Sequence, residues 1–493
     1  MSQSLLFVPL HLLGLALCLA IGPRRRPALC SALGFPVGLA AAVLLALAMM
    51  LVGVPDNPSS LGVAMAIAAL AAAFAAARRG VARRELAVAA WWTAGFVLTC
   101  PAVTHFNVAI LTSIDSHRIL SLAIMVANDG GIGQAALSGL GPWGVFQVVA
   151  HSMMGFTQRD FLYSLPLVMG LTFIPVFAIT LWHALGSLGV AARGRSRLVV
   201  LVTVGLFTIG TLDFHFIYIH TNLGAAIYLF VFVTMLWIGE VSRDDSFVPV
   251  AFLALIAFAF HRTETPLVAL LFLALMVTQS ELPRRSVTLG VAAFSAAVVT
   301  WYEKLAAHLG PSGDFLTPAR CHMIAALAAA FPVWWLASAL PAVQRINRRV
   351  PLLVAAACVL ALIAAFATRP DHMLESARNW AVNLMTLPLW GYSWFLILAL
   401  ALVGLAVAPP PFRQAFAVGL PACFAFVLFL VYFRVPYRYG RGDSANRMTV
   451  QFLPLIMFYL AIKFIPALWR ESSPATSGSR VPDRPAGAAM RPG

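Results

Sequence analysis

Charge is what this chain has least of. Of its 493 residues only 10% are Asp, Glu, Lys or Arg, while 61% are hydrophobic, against about 25% charged in a soluble domain. That shortage excludes an ordinary soluble fold, because a large part of any folded chain stays exposed and cannot be this apolar in water. Acids are scarcer than bases, 18 against 33, and the only lysines are Lys304 and Lys463. The net charge of +15 has no compact basic module with interleaved aromatics behind it, which excludes nucleic acid as a partner. Six cysteines (Cys18, Cys30, Cys100, Cys321, Cys358 and Cys423) never fall at CxxC spacing, which excludes a zinc knuckle or dithiol redox motif. Only Cys100 and Cys321, both near the same predicted face, leave a disulfide open. HExxH and HxxxH spacings are also absent. Met1 to Ile21 has no basic segment before its apolar run, and Arg24, Arg25 and Arg26 follow it instead. That order predicts a retained first helix with its N-terminus outside, not a cleaved leader.

What is there is apolar sequence in lengths that cross a bilayer, about 20 residues per helix. The expected fold is an all-α polytopic transmembrane helix bundle of roughly fifteen spans. The least regular part is the short hairpin at 247–279. Between the spans, loops alternate in character. One set is short and holds about two thirds of the 33 basic residues (Arg24–Arg26, Arg78–Arg84, Arg193–Arg197, Arg345–Arg349 and the tail among them). By the positive-inside rule this set is cytoplasmic, and so is the C-terminus. The other set contains the long loops 104–160, 303–321, 369–391 and 434–451, with nine of the eleven histidines. Long loops are commonly functional, so chemistry is expected on the extracytoplasmic face. The predicted organisation is a three-helix membrane module at 1–85, a core at 86–469 with outer loop 104–160, and a Pro-, Gly- and Ser-rich tail at 470–493 too polar to fold. The Ala- and Arg-rich, Lys-poor composition fits a GC-rich bacterial genome, and hence a bacterial inner (cell) membrane.

Four outer constellations could carry chemistry. In Ile114-Asp115-Ser116-His117-Arg118, the acid falls at the start of an apolar segment that ends at Gly130-Gly131. Asp115 there could take a proton from a hydroxyl with His117 orienting it; equally, Asp115 or Ser116 could cap the helix. His151, in the amphipathic run Val145–Met154, leads to Gln158-Arg159-Asp160, where Asp160 reads either as a catalytic acid or as a favourable first-turn carboxylate. Asp213 to Asn222, with His215 and His220, and His261-Arg262-Thr263-Glu264 form two tight polar turns. They suit a hydrogen-bonded cavity lining or a divalent cation. Finally, Arg434, Arg438, Arg441 and Arg447 crowd a loop with Gly440 and Gly442 just before the last span. Guanidinium forks match phosphate geometry, so this loop reads as a clamp for a lipid-linked phosphate, or as a solvated loop touching headgroups.

This order resembles the GT-C superfamily of membrane glycosyltransferases, over roughly residues 86–469. The likeness is carried by Asp115 and His117 opening the first large outer loop, a helix and Gly-rich turn, a second helix with His151 leading through Asp160, and the arginines Arg438 to Arg447 before the last helix. The resemblance implies a polyprenyl-phosphate-sugar donor, a glycan, lipid or protein acceptor, Asp115 as base, and Arg438 and Arg447 on the donor phosphate. It departs from the family in the three extra leading spans, the lack of a large C-terminal soluble domain, and the lack of a second carboxylate beside Asp115, which weakens any metal-dependent mechanism. The expected activity is an inverting cell-envelope glycosyltransferase in which Asp115, His117 and Asp160 act on the reacting groups and Arg438, Arg441, Arg447, His151, His220, His261 and Arg262 bind substrate. No metal ligands are assigned. The rivals are a transporter or flippase for a lipid-linked anion, and a polysaccharide polymerase or ligase.

Overall fold

A computed structural model of the chain describes residues 7–23, 25–54, 58–105, 114–132, 144–155, 164–278, 280–309, 316–404, 406–407, 416–440 and 443–472. The order is α1 (Phe7–Ile21), α2 (Pro27–Leu51), α3 (Pro58–Arg78), α4 (Arg83–His105), α5 (Ile114–Asp129), α6 (Val145–Gly155), α7 (Leu165–Ser187), α8 (Ala192–Phe207), α9 (Gly210–Phe214), α10 (Thr221–Ser242), α11 (Val248–Ala259), α12 (Thr265–Val277), α13 (Arg284–His308), α14 (Pro318–Ala337), α15 (Pro341–Asn347), α16 (Val350–Thr368), α17 (Pro370–Met385), α18 (Leu387–Trp390), α19 (Ser393–Val403), α20 (Gly419–Leu430), α21 (Ser444–Val450) and α22 (Leu453–Ser472). The described residues are helical throughout, with no strand among them. Proline opens many of these helices, at the first or second position of α2, α7, α11, α12, α14, α16 and α17. There its missing N–H costs nothing and its φ is already helical.

Each of the fifteen apolar stretches coincides with a helix, but helix and span are not the same thing. By length and composition, six helices among the described residues can cross a membrane: α2, α3, α7, α10, α14 and α16; α21 and α22 make a seventh if their 44° bend is one broken span. Helices α1, α11, α12, α19 and α20 are apolar but shorter. At 1.5 Å per residue, α11 and α12, with 12 and 13 residues, each reach less than about 20 Å. Six or seven helices among the described residues thus have the length and composition of a full crossing, against the roughly fifteen expected. The tail from 473 lies outside the described residues, while α22 runs on to Ser472.

One continuous apolar core runs from Phe7 to Ile465. α10 sits at its centre, buried from Thr221 to Gly239. The N-terminal helices share this core. α2 packs against α6, α7 and α11, and the Tyr228 hydroxyl of α10 donates to the Pro36 carbonyl at 2.8 Å. α1 and α2 touch backbone to backbone through glycine. A Cβ on Gly14 would lie 1.9 Å from the Gly34 carbonyl oxygen, and one on Gly38 would lie 1.7 Å from that of Leu10. Close approach through small residues is how helices associate where lipid removes the hydrophobic drive. Cys100 and Cys321 are both free thiols; they sit on α4 and α14, which pack against different partners, α1 and α2 in one case and α13 in the other.

Gly38→Val is expected to cost about 3 kcal/mol or more, since the intruding atoms meet backbone that cannot repack. Gly62→Ala, at a glycine with nothing within 4 Å, should leave thermal unfolding in detergent unchanged.

Candidate active site

The site is assembled from helix ends. Asp115 and Ser116 lie in the first turn of α5, where the helix dipole favours an acid. Ser116 is fully buried and its Oγ donates to the Ile219 carbonyl at 2.9 Å, which fastens the start of α5 to the segment entering α10. α5 stops, as its sequence predicts, at Gly130 with φ 64°. His220 caps the N-terminus of α10 in extended backbone. Arg447 lies in the last turn of α21, whose N-cap, Asp443, accepts from the Ala445 N–H at 2.8 Å.

These three ends meet. Arg447 Nη1 donates to Asp115 Oδ2, lies 3.1 Å from His220 Nε2 and 3.4 Å from Tyr218 Oη, and its Nη2 reaches Ser444 Oγ at 3.4 Å. His220 Nε2 is 3.8 Å from the same carboxylate oxygen. The Tyr218 ring stacks on the imidazole with centroids 5.4 Å apart. Behind the ring, Asn222 Nδ2 donates to His220 Nδ1 at 2.7 Å, and Gln451 Nε2 donates to Asn222 Oδ1 at 2.8 Å. Arg447, which can only donate, lies nearer to His220 Nε2 than Asp115 does.

Burial pushes the Asp115 carboxyl up, but the nearby His220 and the Arg447 hydrogen bond and charge outweigh it and hold the group well below the usual carboxylate range. Burial, then the Arg447 charge, drive His220 well below its ordinary value, with Asp115 only partly opposing. At neutral pH the cluster is therefore a carboxylate, a guanidinium and an uncharged imidazole.

A second charged pair lies beneath it. Arg262 and Glu264 form an ion pair with side chains only 6% and 4% exposed. Arg262 Nη1 reaches Thr221 Oγ1 at 3.4 Å, and the Thr263 hydroxyl donates to Glu264 Oε2 at 3.1 Å. Burial pushes Glu264 up, yet Arg262 and Arg434 bring it below its ordinary range. The turn between α11 and α12, expected as an outer loop, is thus wholly inside the protein.

The arginine loop is held by α17. Asn379 Nδ2 donates to the Tyr437 carbonyl at 2.7 Å, Asn383 Nδ2 to the Arg438 carbonyl at 2.8 Å, and the Tyr437 N–H to Ser376 Oγ at 3.2 Å. Asn383 Oδ1 also accepts from Gly440 N–H at 2.9 Å, at a φ of 123° that glycine alone takes easily. The Arg438 N–H donates to Asp443 Oδ1 at 2.9 Å. A cavity of about 450 Å³ results, lined by Arg434, Tyr437, Arg438, Tyr439, Asp443 and Ser444.

Of the residues singled out from sequence, Asp115, His220 and Arg447 converge, Arg262 lies next to them through Thr221, and Arg438 lines the adjoining cavity. His117 is exposed, and the ring beside Asp115 is His220 instead, because successive helical positions point apart. His151 is buried on α6, its Nε2 2.9 Å from Gln147 Nε2. α6 itself, expected to be amphipathic, is buried from Val145 to Met153. His261 is a packing residue: its ring stacks on Phe146 at 4.2 Å, its Nδ1 bonds the Ala257 carbonyl at 2.7 Å, and Gly224 leaves it room. Asp160 and Arg441 lie outside the described residues. Among the described residues no group of three or more His, Cys, Asp or Glu is placed to hold a metal ion. Tyr218, Asn222 and Ser444 lay within the polar stretches singled out but were given no role of their own, while Gln451 and the α17 face of Ser376, Asn379 and Asn383 were not foreseen. The last three recur at helical spacing inside a segment read as loop, which is the signal that was available.

No protein-family model matches the chain, and no curated protein matches it significantly. Among solved structures it is similar to an Archaeoglobus fulgidus oligosaccharyltransferase, crystallised with a tethered acceptor peptide containing the NVT sequon. The TM-score is 0.41 and the identity 14%, over 72% of this chain and 46% of that one. The match thus spans less than half of that protein's length.

Glu264→Gln leaves Arg262 buried and unpaired, and should destabilise by about 3–5 kcal/mol. Because the folded carboxyl titrates below its unfolded value of about 4.3, the pair's contribution is complete above that pH and is lost as pH falls through the lower folded value. Unfolding temperature measured from pH 7 to pH 3 should fall for the parent and fall less for the variant.

Proposed function

We propose that this chain is an inverting membrane glycosyltransferase that moves a sugar from a polyprenyl-phosphate donor to an acceptor hydroxyl at the extracytoplasmic face. One observation carries the reading: Asp115 and Arg447, 332 residues apart, form an ion pair that Ser444 joins to the arginine-lined cavity. A base for the acceptor and a cation for the leaving phosphate therefore stand side by side, as direct displacement at an anomeric carbon requires.

The donor phosphate occupies the cavity beside Arg438, with Arg434 and Arg441 on the same loop. The acceptor O–H gives its proton to Asp115 as the oxygen bonds to the anomeric carbon. The bond from that carbon to the phosphate oxygen breaks, and its electron pair leaves on the phosphate, against Arg447. His220, beside both members of the Asp115–Arg447 pair, helps fix its position, while exposed His117, together with Asp160, serves the acceptor side. Clamped by Arg447, Asp115 is too weak a base. A donor phosphate competing for that guanidinium loosens the clamp and raises the carboxylate's basicity when substrate is present. This ties base strength to donor occupancy.

The rival reading is a flippase for a lipid-linked anion. It draws on the 44° break between α21 and α22, because broken helices near charged groups are a transporter device.

Asp115→Asn should lower transfer from a radiolabelled polyprenyl-phosphate sugar by at least about 10³-fold; because it leaves Arg447 without its carboxylate it should also lower the unfolding temperature, so transfer is compared at a temperature where the variant is folded and inserted. Transfer that survives would refute the base assignment, and lipid translocation without transfer in the parent would favour the flippase. The acid limb of kcat/KM, which reports the free enzyme, should fall below the ordinary carboxylate range. That of kcat should sit at higher pH, since the bound phosphate draws Arg447 away and adds a nearby negative charge. Coincident limbs would remove the competition step.

A further inference from the structure

A second site lies at the other end of the bundle. The Arg26 guanidinium stands over the Phe247 ring at 5.1 Å, just beyond the C-terminus of α10, whose N-cap is His220. The two are separated by a helix of 22 residues, or about 33 Å. Here a cavity of about 860 Å³ opens between the end of α1, the starts of α2 and α4, and the end of α7, lined by Arg25, Arg26, Arg79, Arg84 and His183. Its one acid, Glu85, is engaged in capping α4: Oε2 accepts from the Ala82 N–H at 3.1 Å. Arg79 Nη1 donates to the Leu19 and Gly22 carbonyls at 3.3 and 3.1 Å, closing the end of α1 and fixing that guanidinium in the wall. Arg26 Nη1 lies 2.8 Å from His183 Nδ1. α2 opens into this space with no side-chain cap, so its dipole adds to the positive field.

Directly along the same helices lies an apolar cavity of about 560 Å³. The two share consecutive walls. On α2, Cys30 lines the basic cavity and Ser31 the apolar one; on α4, Val88 and Trp91, one turn apart, do the same. The apolar cavity is floored by Phe35, Phe96 and Val168 and edged by Trp91, which is 80% exposed on the outer surface of the bundle. Both volumes fall in the range of small-molecule sites, about 300–1,000 Å³. A basic head chamber next to an apolar chamber with an exposed edge is complementary to one kind of molecule.

We propose that this pair of cavities is a binding site for an anionic phospholipid, its headgroup held by Arg25, Arg26 and Arg84 and one chain lying between α2, α4 and α7. Arginine forks suit phosphate oxygens, and basic pockets between helices are a known way of holding anionic headgroups. The site is independent of the glycosyltransferase reading. It ties the N-terminal helices to the core with lipid as a wedge.

The test uses the purified full-length protein in neutral detergent. Added dioleoyl-phosphatidylglycerol should raise the unfolding temperature by several degrees and survive as a one-to-one adduct in native mass spectrometry. Dioleoyl-phosphatidylcholine and inorganic phosphate should do neither. The double variant Arg25→Gln/Arg84→Gln should weaken the lipid's apparent Kd about tenfold or more. Gly95→Leu leaves every charge in place and fills the chain chamber at a glycine with nothing within 4 Å; it should weaken binding similarly. Stabilisation by inorganic phosphate equal to that by the lipid would overturn the proposal in favour of a free-anion site. Undiminished lipid binding in either variant would overturn it as well.

Discussion

The ion pair between Asp115 and Arg447 is the constraint on which the functional end of this protein depends. It joins the first turn of α5 to the last turn of α21, and Ser116 and Tyr218 bring in the segment that enters α10. Neither charge is fully exposed: the side chains retain 23% and 14% of their surface. Separating such a pair strands each charge in a place that solvates it poorly. Three helix ends distant in sequence are thereby held at one point, and the neutral His220 completes the arrangement without adding a charge.

That point is supported from below by a second pair. Arg262 and Glu264 are buried in the turn between two half-length helices. Arg262 reaches Thr221, and Thr221 follows His220, so the two charged layers are linked through the N-terminus of α10. A buried guanidinium needs a carboxylate, and this carboxylate also feels Arg434. The positive charge of the arginine loop is therefore shared between Glu264 inside and whatever anion enters the cavity outside. The loop itself is rigid for a separate reason: amides along one face of α17 satisfy its backbone, residue by residue. A chain with so little charge commits four of its charged side chains to two ion pairs at this end, one buried and one partly buried.

The opposite end follows different rules. There arginines cap carbonyls, stack on aromatic rings and line a cavity, and Glu85, the one acid in that cavity's wall, is spent on its own helix. The ion pairs at one end and the arginine-rich chamber at the other, where Asp244 bears on Arg26, give the two ends of α10 different electrostatics. The α1–α2 glycine contact connects the two regimes mechanically, since α2 carries the wall of the lipid cavity and, through Pro36, touches the helix that begins at the site.

Membrane class, helical architecture, the Gly130 stop and the candidacy of Asp115, His220 and Arg447 were all legible in the amino-acid order, because each rests on local physics. Apolar length, helix termini and the cost of an unpaired charge in an apolar chain do not depend on the fold. Sequence did not determine which apolar helices are long enough to cross, since a 12-residue helix and a 20-residue one can lie in equally apolar stretches. Nor did it separate His220 from His117 or His261. All three are histidines in polar turns, and only tertiary packing put one against a carboxylate, one into solvent and one between Phe146 and Gly224. The α17 amides and the paired cavities along α2 and α4 belong to the same class. They exist only where surfaces remote in sequence are brought together, and no periodicity within a single segment encodes that meeting.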